Sequence, residues 1–250
     1  MSDADALSLA ALFAVGILSG ALNVVAGGGS FLTLPVLIFI GLPAGAANAT
    51  NRIGVLAQNL TGVWGFHRAS ALDWRWAASA SVPALAGAAV GAWAALQMSD
   101  FAFKRLLATA MLGMTLWTLL ARPRGGPGAA RMSPWHPGMV VSFLLIGVYG
   151  GLIQAGVGFA ILAATSVAGM DLVKGNAVKL FSVLLVTALS LAIFAVGGVV
   201  HWGPGLALGA GNVLGALLGV RLAVTRGHDW IQRVVTVAVV VMAVLLWFES

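Results

Sequence analysis

The chain carries one apolar pattern twice. An offset of 128 residues places Phe31 on Phe159, Gly41 on Gly169, Asn48 on Asn176, Val55 on Val183 and Phe66 on Phe194. The register runs on without a gap through Trp74 on Trp202, Gly87 on Gly215, Gly91 on Gly219, Arg105 on Arg233 and Met114 on Met242. Before Phe31 it continues with a slip of three residues, Gly16 and Gly20 falling on Gly147 and Gly151. Two copies of an apolar unit, each interrupted by glycines and a few polar residues, form the pattern of a secondary transporter.

Composition narrows the solvent. Mean hydropathy is +1.02. Hydrophobic residues make up 60% of the chain and charged residues 8%, against roughly 25% charged in a soluble domain. Such a chain cannot cover a water-facing surface, so the sequence predicts an all-α integral membrane protein. Lipid gives the backbone no hydrogen bonds, which leaves helices or closed barrels as spans. The apolar runs lack strand-like alternation, which excludes a barrel. There is room for about eight to ten spans and no soluble domain. Cysteine is absent, so neither a disulfide framework nor a thiolate metal site is available. The net charge of +6 reads as membrane topology, with basic residues in loops and at span ends, rather than as nucleic-acid binding. The acidic start lacks the positive region of a secretory signal, so 7–26 reads as a retained span.

The apolar segments are 7–26, 31–42, 48–66, 76–97 and 101–121, then 138–154, 159–169, 176–196, 205–224 and 230–248. Residues 1–121 form the first repeat, 122–137 a Pro- and Gly-rich cytoplasmic linker, and 138–250 the second repeat. Eight segments are full-length for a core of about 30 Å. The other two, 31–42 and 159–169, are short, and each follows a glycine break at Gly27, Gly28 and Gly29 or at Gly156 and Gly158. Paired short segments of this kind point to a transport site. They either cross fully or dip in as hairpins. Arginine and lysine positions favour an odd number of crossings per half, and hence inverted repeats. Arg68, Arg75, the linker arginines, Lys174 and the basic group 221–233 then lie inside. Both termini, with Asp3, Asp5 and Glu249, lie outside. Gly87 with Gly91, and Gly215 with Gly219, read as close helix packing.

Polar residues inside the spans mark candidate function. Asn48, Asn51, Arg52, Gln58 and Asn59 share an arc of about 120° at about 100° per residue. Asn176, Lys179, Thr187 and Ser190 lie on the matching arc of the second half. Unpartnered amides in hydrocarbon cost several kcal/mol, so these groups face the bundle interior or a wet cavity. Arg52 and Lys179 have two available roles, snorkelling to the surface or binding substrate. Asn23 and Gln154, matched at the ends of the first spans, serve either helix–helix hydrogen bonding or the same site. The backbone N–H groups of Gly28, Gly29 and Gly158 are further anion donors.

All seven acids sit at termini or in loops, so coupling through a buried carboxylate is not expected and a cation substrate would lack a counter-charge. The electrostatics suit an anion. The four histidines lack metal-ligand spacing, and no cofactor or metal is implied. Trp64, Trp74, Trp76, Trp135, Trp202, Trp230 and Trp247 read as an aromatic belt.

The run Gly-Gly-Gly-Ser-Phe-Leu-Thr-Leu-Pro at 27–35 is followed by Gly-Leu-Pro at 41–43 and Ala-Asn-Ala-Thr-Asn-Arg at 47–52. The second half has Gly-Gly-Leu-Ile-Gln-Ala-Gly-Val-Gly-Phe at 150–159 and Gly-Asn-Ala-Val-Lys at 175–179. Across essentially its whole length the chain resembles the sulfite exporter TauE/SafE family of small bacterial membrane transporters. It departs from the commoner pattern at Asn51-Arg52, where a serine often follows the threonine. The resemblance implies duplicated halves, a bacterial cytoplasmic membrane, and transport of a sulfur-containing anion such as sulfite or an organosulfonate. The expected partners are that small anion and the lipid bilayer. Nucleic acid is not among them, and a homo-oligomer is compatible with the sequence. An anion channel, a membrane enzyme and a non-transporting accessory subunit are the rival readings. The absence of a buried acid–base cluster speaks against the enzyme.

Overall fold

The computed structural model describes residues 3–25, 28–120 and 132–225. Among these it is all-helical: α1 (Asp3–Val25), α2 (Ser30–Phe39), α3 (Ala44–Arg68), α4 (Trp74–Leu96), α5 (Asp100–Leu120), α6 (Pro137–Leu152), α7 (Val157–Val167), α8 (Leu172–Val196) and α9 (Trp202–Thr225). The expected segment 230–248, residues 122–131 of the linker, Gly27, Trp230, Trp247 and Glu249 lie outside the described residues.

Four helices, α1, α4, α8 and α9, are long and apolar enough to cross a membrane. Helix α3 has 25 residues, but its polar side chains lower its hydropathy. It is buried along most of its length instead. Helix α6 has 16 residues, about 24 Å at 1.5 Å per residue, because Ile153 turns to extended backbone. The short helices α2 and α7 have 10 and 11 residues.

Helix ends 128 residues apart close alike. At the end of α2, Leu42 N–H donates to Leu37 O at 3.2 Å and Gly41 N–H to Ile38 O at 2.9 Å. At the end of α7, Met170 N–H donates to Thr165 O and Gly169 N–H to Ser166 O, both at 3.0 Å. Both are Schellman closures, with φ of +100° at Gly41 and +76° at Gly169. Helices α3 and α8 end in a matching pair, with φ of +52° at Ser70 and +70° at Gly198.

The first helix of each half packs on the fourth helix of the other. A Cβ at Gly87 or Gly91 of α4 would fall on the Leu144 or Val148 carbonyl of α6, and one at Gly147 or Gly151 on Ala84 or Ala88. A Cβ at Gly211 or Gly215 of α9 would fall on the Phe13 or Ile17 carbonyl of α1. Only hydrogen fits, so these glycines are where backbones touch. The central helices α3 and α8 pass in opposite senses: Arg52 lies over Phe194, whereas Gly62, later in α3, faces Leu180, earlier in α8.

Trp76 does not belong to the expected aromatic belt. Trp64, Trp74, Trp135 and Trp202 are exposed, but Trp76 is buried. It packs edge-on against Phe143 and donates through Nε1 to Met132 O at 3.1 Å. Its neighbours offer an aromatic face and a carbonyl acceptor, which satisfy an indole without water.

Candidate functional site

Arg52 and Lys179 are both buried, 0% and 1% exposed, so neither snorkels. Each reaches into the opposite half. Arg52, on α3, donates to Gly150 O at 3.0 Å, Gly151 O at 2.6 Å and Gln154 Oε1 at 2.8 Å. Asn48, one turn earlier, donates to Leu152 O at 3.0 Å and accepts from Gln154 N–H at 3.3 Å. Lys179, on α8, donates to Asn23 O at 2.9 Å and Val24 O at 3.4 Å. Asn176, a turn before it, donates to Val24 O at 2.9 Å. The last carbonyls of a helix have no partner within it and carry its negative dipole end. An asparagine and a cation from the other half supply both the donors and the charge.

The breaks after α1 and α6 are themselves tied. Asn23 Oδ1 accepts from Gly29 N–H at 2.8 Å, closing the first break. That N–H is therefore committed to Asn23. Ala155 O accepts from Tyr149 Oη at 2.6 Å across the second break, and Gly156 adopts φ of +79° to start α7. Asn51 binds α2, donating to Ser30 Oγ at 3.2 Å and accepting from Thr33 Oγ1 at 2.6 Å. Gly28 is buried, and its carbonyl accepts from Phe31 N–H at 3.0 Å.

Between these groups lies a cavity of about 10 Å³, room for about one water molecule. Its polar lining is Asn23, Ser30, Gln58, Asn59, Gln154 and Lys179. Gly158 borders it from the first turn of α7, and Val55, Val157 and Val183 supply the apolar wall. Two of its lining residues carry a buried polar atom with no hydrogen-bond partner, Asn23 at Nδ2 and Gln58 at Oε1. Four of the ten residues singled out in the sequence, Asn23, Gln154, Gly158 and Lys179, thus border one cavity. Asn48, Asn51, Arg52, Asn176, Gly28 and Gly29 do not. Asn48 and Arg52 hold Gln154, Asn51 holds Ser30, and Gly29 holds Asn23. Ser30, Gln58 and Asn59 complete the lining. The arc on α3 that carries Asn48 and Arg52 already contained Gln58 and Asn59.

A second cavity, about 350 Å³, opens where α3 and α5 begin and α4 and α8 end. Pro43, Met98, Asp100, Phe194 and His201 are among its walls. Asp100 Oδ1 accepts from Ala44 N–H at the start of α3. Phe194 separates this vestibule from Arg52, whose guanidinium carbon lies 4.9 Å from the ring centroid. Among the described residues no group of three histidines, cysteines or acids is placed to hold a metal ion.

The family described as sulfite exporter TauE/SafE matches residues 12–246. The chain belongs to that family of membrane transporters. Curated relatives span nearly the same length. One from Haemophilus influenzae, named "Probable membrane transporter protein", is 28% identical over 97% of this chain and 95% of its own. Another from Escherichia coli K12, "Probable membrane transporter protein YfcA", is 26% identical over 98% and 91%. A third from Sinorhizobium sp, "Probable membrane transporter protein ORF9", is 26% identical over 95% and 92%. No solved structure matches the chain.

Proposed function

We propose that this protein is a carrier for a small oxyanion of the sulfite or organosulfonate kind, bound in the cavity beside Lys179. One observation carries the reading: Lys179 is the one charged residue lining a cavity whose other polar walls are amides and a serine hydroxyl. Asn23 Nδ2, without a partner in this conformation, and the Gln58 amide would complete the anion's hydrogen bonds. The cavity is smaller than an anion of four heavy atoms, as expected of a closed intermediate in alternating access.

The two halves would be inverted copies that rock about this point. The opposed passage of α3 and α8 supports inversion, as does the reciprocal capping of α6 by Asn48 and Arg52 and of α1 by Asn176 and Lys179. On one side the route would run from the vestibule past Phe194 and Arg52 to Gln154. Charge distribution supports a cytoplasmic-membrane setting with both termini outside.

The test is flux in liposomes containing the purified protein. Saturable movement of labelled sulfite or methanesulfonate, above that of protein-free vesicles, is expected. Vesicles that move neither anion faster than the lipid alone would refute the reading.

A further inference from the structure

We infer that the site selects anions by charge state, taking singly charged oxyanions such as hydrogensulfite or a sulfonate and rejecting dianions such as sulfate. This rests on the anion-carrier reading above and concerns the same cavity.

Each element packed around the cavity contributes neutral groups except one: Asn23 from α1, Ser30 from α2, Gln58 and Asn59 from α3, Gln154 and Gly158 from the second break and α7, and Lys179 from α8. Arg52 is the nearest second cation, but it does not border the cavity. It stands behind Gln154, with its guanidinium on Gln154 Oε1 and on the carbonyls of Gly150 and Gly151. The dipole end of α6 offsets about half of its charge. The wall formed by Val55, Val157 and Val183 offers nothing to a second negative charge. The end of α1, whose Asn23 and Val24 carbonyls accept from Lys179 Nζ, offsets part of the Lys179 charge in the same way, so the two cations together leave about one net positive charge, which a monoanion neutralises. A dianion leaves one uncompensated charge in a site shielded from water, which is costly.

The hydrogen-bonding groups agree. Lys179 and Asn23 Nδ2 are donors suited to anionic oxygens. The Gln58 amide has an oxygen without a donor, which a protonated oxygen such as that of hydrogensulfite would supply. Sulfite is the informative probe, because it passes from monoanion to dianion near neutral pH. Methanesulfonate stays a monoanion throughout, so it serves as the reference at each pH and absorbs any titration of the protein itself.

The experiment measures binding of methanesulfonate, sulfite and sulfate to the purified full-length protein on the acid and alkaline sides of the second ionisation of sulfite. The affinity of sulfite relative to methanesulfonate is expected to fall with the hydrogensulfite fraction. Sulfate is expected to bind at least about tenfold more weakly than methanesulfonate, equivalent to about 1.4 kcal/mol. Sulfate binding as tightly as methanesulfonate, or a sulfite-to-methanesulfonate ratio that does not change with pH, overturns charge selection and leaves the carrier reading standing. Failure of all three anions to bind overturns both.

Discussion

Lys179→Met is expected to abolish anion flux while the protein still folds and reaches the membrane. The side chain is of similar length and keeps the apolar stem packed, so the change removes mainly the charge. Losing one partner of a buried, hydrogen-bonded charge pair costs about 2–5 kcal/mol. At about 1.4 kcal/mol per tenfold, anion affinity should fall about thirtyfold or more. The fold should tolerate the loss because Asn176 Nδ2 still donates to Val24 O at the end of α1. Flux in liposomes and size-exclusion behaviour in detergent separate the two effects. Undiminished flux would remove Lys179 from the site.

Arg52→Met is expected to act in the opposite order, through the fold first. Its guanidinium bonds three oxygens at the end of α6 and the break that follows. Hydrogen bonds to charged groups are worth about 1.5–3 kcal/mol each, and they are not additive. A loss of about 3 kcal/mol would lower the midpoint of thermal unfolding by roughly 6–12 °C for a chain of this size. Asn48 alone remains on Leu152 O. Arg52→Lys should recover only part of the loss, because an ammonium cannot fork across Gln154 and two carbonyls. Any drop in anion affinity should be smaller than for Lys179→Met, since Arg52 reaches the cavity only through Gln154. An unchanged unfolding midpoint would contradict this positioning role.

The different fates of the two cations were partly legible in the sequence. The repeat aligns Arg52 with Leu180 and Lys179 with Asn51. A one-residue offset on a helix turns a side chain by about 100°. Two cations on matching arcs therefore both reach the end of the other half's first helix, yet only Lys179 lines the cavity. The burial of the polar arc on α3, the short helices after glycine breaks and the small-residue packing all follow from spacing and composition. Which carbonyls Arg52 and Lys179 reach does not, because their partners sit in the other half, far along the chain. Gln58 and Asn59 lay on the predicted face, but facing a cavity and facing a neighbouring helix give the same periodicity. The left-handed Ser70 at the end of α3 carried no glycine to announce it. The burial of Trp76 depends on Met132 in the linker and Phe143 beyond it.

The most direct test is an experimental structure with selenite, a heavier analogue of sulfite whose selenium can be located by anomalous scattering. The account predicts one peak between the halves, with selenite oxygens within hydrogen-bonding distance of Lys179 Nζ, Asn23 Nδ2 and the Gln58 amide. A peak confined to the vestibule beside His201, or to the membrane surface with the Lys179 cavity still closed around a water, would contradict it.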